Sequence, residues 1–346
     1  MDDLVYYYPQ GHEGHYEIGH PERPERVEAI RKSLEEHGLW QRYPHLLPVE
    51  LPESVLHGIH SAAYLEALEK ICQNGMHFDA DTYTRPASWM LAINTAGGAA
   101  AVAKAVWAGE SKRGFALTRP PGHHATPQRA MGFCLLNNIA LAAEYLIQVE
   151  SASRLAIIDL DLHHGNGTQE IFFSRGDVFY LSTHQYPFYP GTGWLDESGV
   201  GPGVMKTANF PLPQFSGDEA FSTVMDELIL PILDRFSPEM ILVSYGFDPH
   251  WRDPLGNLQL TSRGYGKLIE GLTSWADENC QGRISLFLEG GYDLEAARDC
   301  SLAVVAALLG ENPLGRSKEP GISTQYGESS TFLSILEQAK QLWDLE

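Results

Sequence analysis

The segment 159–163, Asp-Leu-Asp-Leu-His, directly follows the apolar run 155–158 and carries residues that can bind a metal. Residues two apart on a strand point to the same face, so Asp161 and His163 can converge on one ion, with Asp159 beneath them. Asp248 follows another apolar run and can supply a third ligand. Catalytic zinc usually takes three protein ligands and leaves one position open. These residues therefore predict a hydrolytic metal site, in which the ion polarises a carbonyl and activates water.

Two adjacent histidines, His123 and His124, lie in a Pro-Gly turn. Hydrolysis of an amide needs one group that accepts the proton of the attacking water and another that protonates the departing amine. Standing alone, the pair would indicate only a solvated turn, but Asp159 and Asn166 are available to orient the rings. A carboxylate stabilises imidazolium more than an amide does, so the two histidines should differ in basicity.

Aromatic residues accompany this group. Tyr292 follows Gly290 and Gly291, whose backbone freedom permits a close approach to the site, and its phenol can donate to an oxyanion. Phe133 and Tyr189 can form the apolar walls of a narrow channel, although aromatic residues are core material first. Spacing alone leaves both interpretations open.

Alternating patterns predict the elements that position these residues. Short apolar runs without polar alternation indicate buried parallel strands, and helix-like segments separate them. We expect an α/β protein with a single open, doubly wound, mostly parallel sheet flanked by helices, whose ligands bind beyond the carboxyl ends of the strands. The predicted strands are 4–8, 114–118, 155–160, 178–183, 240–245 and 284–288, and the predicted helices are 24–37, 86–108, 137–150, 217–236, 262–278 and 294–309.

Length and composition limit the organisation and the partners. We expect one catalytic domain over 1–346, with a surface excursion rich in Gly, Pro and Ser at 311–330 and a closing helix at 331–345. The net charge of −21 argues against binding to nucleic acid or to anionic membranes. The four cysteines lie far apart without a CxxC pair, and neither a basic leader with an apolar signal core nor a long apolar stretch is present. A cytoplasmic protein with reduced thiols is expected.

Several longer motifs resemble a known family, the zinc-dependent histone deacetylases and acetylpolyamine amidohydrolases, which have the arginase-deacetylase fold. They occur in family order over most of the chain. The motifs are PPGHHA at 120–125, GFCLLNN at 132–138, DLDLHHGNGTQ at 159–169, YPGTG at 189–193, GFD at 246–248, DPLG at 253–256 and EGGY at 289–292.

The resemblance implies a role for each matching residue. It implies one zinc ion per chain on Asp161, His163 and Asp248, with Tyr292 stabilising the transition state. In the catalytic pair, Asp159 would accept from His123 and Asn166 from His124. The substrate would contact a tunnel that includes Gly132, Phe133, Tyr189, Leu255, Gly290 and Gly291.

Two further sites are implied by the resemblance. A structural K⁺ or Na⁺ would be bound around Asp159, Asp161, His163, Ser182 and Thr183. Arg26 would lie near an internal product cavity.

Some positions refine the subgroup. Asn166 stands where the class I enzymes carry Asp, so the chain is similar to the class II and bacterial class II-like branch. Tyr292 argues against the weakly active branch that carries His there. Leu255 replaces a glutamate found in polyamine-selective relatives. The stretch 249–252, with His250 and Trp251, departs from the expected small residues and is expected to reshape the rim of the site.

The leading hypothesis is hydrolysis of acetyl or other short acyl groups from lysine side chains of a peptide or protein. The attacking water would be activated by a metal ion, either zinc or iron(II). The alternatives are deacetylation of an acetylpolyamine or another small amine, a two-metal ureohydrolase on the same fold, and a nonenzymatic reader of acetylated tails. A homo-oligomer is compatible with each of these.

Overall fold

The computed structural model describes residues 1–311 and 329–345. Its seven strands are paired in parallel throughout a single sheet. The strands are β1 Val5–Tyr7, β2 Arg113–Ala116, β3 Leu155–Asp159, β4 Val178–Gln185, β5 Thr207–Leu212, β6 Met240–Tyr245 and β7 Ile284–Leu288. Their order across the sheet is β1-β2-β7-β6-β3-β4-β5.

Helices follow the strands along the chain. They are α1 Glu25–Glu36, α2 Glu53–Ile59, α3 Ala62–Gln73, α4 Ser88–Trp107, α5 Asn138–Gln148, α6 Asn166–Phe172, α7 Asp218–Val224, α8 Leu230–Phe236, α9 Ser262–Asn279, α10 Leu294–Leu308 and α11 Ser330–Trp343. A π-helical turn, Met225–Ile229, joins α7 to α8. None of the helices within the described ranges is long and apolar enough to cross a membrane.

Both faces of the sheet are buried under helices. Ala156 and Ile158 of β3 pack in the core with α1 and α7 to α11, whereas Leu155 and Ile157 pack in a second core with α2 to α6. All four side chains are inaccessible to solvent. Apolar side chains on both faces explain why the strands lack polar alternation, and the predicted fold class is confirmed.

The six predicted strands are present, and each predicted helix overlaps a helix of the structure. Prediction missed β5 and the helices α2, α3 and α6. β5 contains Thr207, Asn209 and Pro211, and it lies at the sheet edge, where proline is tolerated because only one side is paired. The closing helix is α11, whereas the predicted surface excursion lies, except at its ends, outside the described residues.

The order of the strands creates a crevice between β3 and β6, which are neighbours in the sheet. After β3 the chain passes to β4 on one side, and after β6 it passes to β7 on the other side. Because the two connections diverge, the loops at the carboxyl ends of β3 and β6 leave space between them. Asp161 and His163 lie in the first loop and Asp248 in the second.

Candidate active site

The three candidate metal ligands converge through loop hydrogen bonds. β3 ends at Asp159, so Asp161 and His163 lie in the turn after the strand, and strand alternation is the wrong explanation for their convergence. Instead, the backbone N–H of His163 donates to Asp161 Oδ1 at 2.8 Å. Asp248 joins them from the other loop, because its Oδ1 accepts from the backbone N–H of Leu162 at 3.1 Å.

The donor atoms of these ligands lie close to one point. His163 Nδ1 is 3.2 Å from Asp161 Oδ1 and 3.1 Å from Asp248 Oδ2. With metal–ligand distances of about 2.0–2.2 Å, the ligand atoms of a tetrahedral zinc site are separated by roughly 3.3–3.6 Å. Asp161 Oδ2 also accepts from the backbone N–H of Gly290 at 2.8 Å. The donor set therefore fits one small divalent cation.

Electrostatics favour a cation at the same point. Asp161 and Asp248 are both fully buried. Burial and the neighbouring Asp161 carboxylate raise the pKa of Asp248 to about 7. Burial alone would lower the pKa of His163, but hydrogen bonds and charges from Asp161 and Asp248 outweigh it and raise the pKa to about 9. A bound dication would offset the repulsion between the two carboxylates.

Two glycines let the backbone pass close to the ligands. A Cβ atom on Gly246 would lie 2.0 Å from Asp161 Oδ2 and 2.4 Å from Asp248 Oδ1. A Cβ atom on Gly290 would lie 2.2 Å from Asp248 Oδ2. A side chain at either position would displace a ligand carboxylate.

The paired histidines face the ligands with different partners. His123 Nδ1 lies 3.0 Å from Asp159 Oδ2, and His124 Nδ1 lies 2.8 Å from Asn166 Oδ1. Both partner oxygens only accept, so each Nδ1 carries the donated hydrogen and each Nε2 is left for chemistry. His123 Nε2 is 3.8 Å from Asp161 Oδ1, and the two imidazole centroids are 4.1 Å apart.

The two rings differ in basicity in the direction expected from the sequence. Burial disfavours charge on His123, but Asp159, Asp161 and Glu289 outweigh it and raise the pKa to about 10. Burial, then the positive charge of His123, holds the pKa of His124 well below its ordinary value. The surroundings therefore favour the imidazolium form of His123 and the neutral form of His124.

Tyr292 lines the same pocket as the two histidines. Burial raises the pKa of Tyr292 well above 10, so its phenol stays neutral and can donate a hydrogen bond. Its ring meets the Phe133 ring edge-on at 5.7 Å, and the Arg26 guanidinium lies 4.8 Å from its centroid. Arg26 Nε donates to the Gly291 carbonyl at 2.7 Å. Arg26 therefore supports the tyrosine from behind and is itself buried.

A pocket of about 320 Å³ leads from the surface to these groups. Tyr189, at its mouth, is 43% exposed. Gly291 is not part of the lining, because its α-carbon faces Phe247. Nine residues that the sequence indicated line the pocket: His123, His124, Gly132, Phe133, His163, Tyr189, Leu255, Gly290 and Tyr292.

Sequence reasoning missed six residues of the lining. They come from the loop between α3 and α4 and from the segments around the histidine pair, where no periodic pattern or metal-ligand spacing marks them. They are Asp79, Ala80, Asp81, Pro121, Arg129 and Met131.

The expectation that His250 and Trp251 reshape the rim is wrong, since neither residue lines the pocket. His250 is buried, and its ring lies parallel to Tyr265 at 6.5 Å. Arg252 Nε turns toward Asp293 Oδ1, at 3.5 Å. The segment 249–252 packs inward because the backbone of His250 bridges to the backbone of Leu260.

The residues indicated for a monovalent cation lie where β3 and β4 end. Asp159 pairs with Ser182 across the two strands. Ser182 Oγ lies 2.9 Å from His184 Nδ1. Thr183 Oγ1 is buried, and no hydrogen-bond partner for it occurs among the described residues.

Comparison with known proteins agrees with this geometry. The histone deacetylase domain family matches residues 20–308. A probable deacetylase of Archaeoglobus fulgidus is 40% identical over 304 residues, which cover 87% of this chain and 84% of the relative. Histone deacetylase 14, chloroplastic, of Arabidopsis thaliana is 40% identical, covering 87% of this chain and 75% of the relative. A histone deacetylase-like amidohydrolase of Pseudomonas aeruginosa is 36% identical, covering 84% and 77%.

A solved structure is similar as well. The crystal structure of the HDA15 HD domain superposes with a TM-score of 0.88 at 34% identity, covering 99% of this chain and 95% of that one. The parallel sheet with its covering helices is thus the arginase-deacetylase fold. The chain belongs to the histone deacetylase family, whose members are hydrolases.

Proposed function

We propose that the protein is a zinc-dependent deacylase that removes acetyl or another short acyl group from lysine side chains. The observation that carries the proposal is that the donor atoms of Asp161, His163 and Asp248 cluster together and that His163 lines the pocket with the histidine pair and Tyr292. Zinc held there would polarise the substrate carbonyl and acidify a water molecule.

The histidine pair and Tyr292 would perform the proton transfers and stabilise the oxyanion. His124, a neutral imidazole with Nε2 free, is suited to take the proton of the attacking water. His123, whose carboxylate neighbours favour the imidazolium form, would stabilise negative charge that develops beside it. The Tyr292 phenol can donate to the carbonyl oxygen as it becomes an oxyanion. The proton then passes from the histidine pair to the departing amine.

The pocket walls suit an alkyl chain that ends in an amide. Phe133, Tyr189 and Leu255 present apolar surface along the pocket, and a lysine stem has four methylene groups to bury there. The Gly132 carbonyl, which accepts a weak hydrogen bond from Cys134 Sγ at 3.3 Å, keeps a second lone pair for the substrate amide N–H.

Deacetylation of an acetylpolyamine is the second candidate. Asp79 and Asp81 line the mouth of the pocket, where their carboxylates would attract an ammonium group several methylenes from the acetamide. Leu255, in place of a carboxylate, gives the inner wall no further attraction for a cation. Parallel kinetics on an acetyl-lysine peptide and on N-acetylputrescine separate the two, because the better substrate has the higher kcat/KM.

A ureohydrolase would need a second metal, and a nonenzymatic reader would not need the histidine pair or the tyrosine. Metal analysis and acetate release test these alternatives. About one metal ion per chain together with acetate release supports the deacylase, whereas two ions, or tight peptide binding without acetate release, would favour a rival.

We also propose a K⁺ or Na⁺ site around the main chain of Asp159, Asp161 and His163, with Ser182 and Thr183. The buried Thr183 Oγ1 without a partner supports it, because a buried hydroxyl oxygen is costly to leave unsatisfied and suits a hard cation. Turnover as a function of KCl and NaCl, at constant ionic strength, would test this site.

An acyl-chain panel on one fluorogenic lysine substrate tests the main proposal. We expect turnover of the acetyl substrate, a decline with longer chains, and loss of activity in chelator-treated enzyme that zinc restores. Activity that survives removal of the metal, or no turnover on any acyl-lysine or acetylpolyamine, would overturn the proposal.

A further inference from the structure

Glu289, the residue that follows β7, is a fully buried carboxylate that does not line the pocket. Its Oε2 accepts hydrogen bonds from the backbone N–H groups of Gly122, at 2.6 Å, and of His123, at 3.0 Å. Its Oε1 accepts from the Ser244 hydroxyl of β6, at 2.9 Å. One side chain thus connects the ends of two neighbouring strands, β6 and β7, with the loop 120–125 that carries His123 and His124, here called the histidine loop.

The Glu289 backbone is fixed independently of its side chain. Its N–H donates to the Tyr245 carbonyl at 2.9 Å, and its carbonyl accepts from the Arg26 guanidinium. Because the backbone is held on both sides, the carboxylate is presented to Gly122 and His123 from a rigid base.

The opposite side of the histidine loop is also restrained. The His123 carbonyl accepts from the backbone N–H groups of Gly167 and Thr168, at 3.0 and 3.1 Å. A Cβ atom on Gly122 would lie 2.5 Å from the backbone nitrogen of Asn138, so the loop has no room to shift that way. Glu289 supplies the restraint on the amide side.

We infer that Glu289 is a positioning residue, which sets the His123 and His124 rings relative to the Asp161, His163 and Asp248 donor set by holding two backbone N–H groups. The inference rests on the proposed function, because it assigns Glu289 to the same reaction. Glu289 touches no substrate and acts only through the loop.

Substitutions separate hydrogen bonding from bulk and charge. In Glu289→Gln the amide oxygen can still accept from both N–H groups, while the amide nitrogen donates to Ser244 Oγ. In Glu289→Met a side chain of similar length has no oxygen to accept the hydrogen bonds from the two backbone N–H groups. In Glu289→Asp the carboxylate is one methylene short of the loop. Ser244→Ala is the matched control, because it removes a contact of Glu289 without touching the histidine loop.

The first readout is kcat per metal-loaded chain, measured together with KM on an acetyl-lysine peptide. We expect Glu289→Met to lose on the order of 100-fold in kcat, as for a catalytic group misplaced by about 1 Å, with KM changed less than about threefold. Glu289→Gln and Ser244→Ala should stay within about fivefold of wild type. A purely structural role would lower the fraction of loaded chains but not kcat per loaded chain.

The second readout is hydrogen exchange of the peptide covering 119–126, which does not depend on turnover. Faster exchange in Glu289→Met, with Ser244→Ala unchanged, supports the inference. Wild-type kcat and wild-type exchange in Glu289→Met would overturn it. If Glu289→Met does not fold, Glu289→Asp replaces it, and equal kcat in the Asp and Gln variants would overturn the inference. A wild-type protein without turnover on any acyl substrate refutes the proposed function, and the exchange result still decides on Glu289.

Discussion

The carboxylate of Asp253 accepts a hydrogen bond from the backbone N–H of Tyr292 over 2.6 Å. The same oxygen accepts from the backbone N–H of Asp293, and the other oxygen accepts from that of Leu255 at 3.0 Å. Asp253 is 6% exposed. One buried side chain therefore holds both the candidate oxyanion donor and a residue of the pocket wall.

Replacing Asp253 with Ala should reduce stability and activity together. The change leaves up to three buried N–H groups without an acceptor, at a cost of about 1–3 kcal/mol for each group that water cannot reach. Denaturant unfolding measures the stability, and kcat reports the displaced tyrosine. Asp253→Asn, which keeps one accepting oxygen, should be intermediate. Wild-type unfolding and turnover in the Ala variant would contradict this role.

Tyr292→Phe should fold and bind metal normally but lose most turnover. The variant keeps the ring, which packs against Phe133 and Arg26, so folding should be unaffected. Loss of one oxyanion donor costs about 3 kcal/mol, which is a rate decrease on the order of 100-fold. Steady-state kinetics measures kcat of the variant, and metal analysis measures its metal content per chain. Tyr145→Phe, which removes a phenol from α5 outside the pocket lining, is the control. A variant with wild-type kcat would refute the assigned role.

Gly246→Ala should weaken metal binding by at least about 10–100-fold, because its Cβ atom would overlap the carboxylates of Asp161 and Asp248. Gly271→Ala in α9 is a matched control, since its added Cβ meets only Met225 at 4.0 Å. Alanine is the better helix former, so this control should be unchanged or about 0.5–1 kcal/mol more stable. Zinc titration with a chromogenic competitor compares them. Equal zinc affinity in the two variants would contradict the prediction, because it would show that the backbone at residue 246 can accommodate a Cβ atom without displacing the ligands.

Acid should destabilise the fold partly through His60. Its Nδ1 lies 3.0 Å from the Thr126 carbonyl, and its Nε2 accepts from the backbone N–H of Asn137, so the ring is neutral and both nitrogens are used. Burial lowers its pKa to about 4. Because the unfolded chain takes up this proton near pH 6.5, the stabilisation is complete above about pH 6.5 and is lost as pH falls toward 4.

Between pH 7.5 and 5, His60 should account for about 2 kcal/mol of the stability lost. Urea unfolding at both pH values, in wild type, in His60→Gln and in the exposed control His57→Gln, measures this share. His60→Gln should lose less stability on acidification than either of the others. An identical loss in all three proteins would exclude His60 as a contributor.

Much of the ligand set could be predicted from sequence because it depends on local signals. The apolar runs before Asp161 and before Asp248 mark strand ends, and strand ends of a parallel sheet meet at one edge. The residues before His123 and Tyr292, Pro121-Gly122 and Gly290-Gly291, are turn-forming residues and so mark loops in the sequence. The same local signals misplaced His250, since only the pairing of its loop with Leu260 decides that the ring turns inward.

Other features depend on contacts between distant parts of the chain. Asp79 and Asp81 reach the pocket because of the path of the loop between α3 and α4, which has no periodic pattern. Glu289 and Asp253 act on backbone groups 167 and 39 residues away, respectively. Hydrogen bonds from side chains to distant backbone groups leave no pattern in the sequence and could not be predicted from it. β5 was missed because an edge strand tolerates the proline that argues against a central one.

Most of the pocket wall comes from loops that carry no metal ligand. Phe133 lies in the loop after β2 and Tyr189 in the loop after β4, whereas the ligands lie in the loops after β3 and β6; Leu255 alone of these wall residues shares a loop with a ligand, Asp248. Acyl-chain preference can therefore diverge among descendants of this scaffold, or be redesigned by enlarging the wall, while the hydrolytic machinery keeps its geometry.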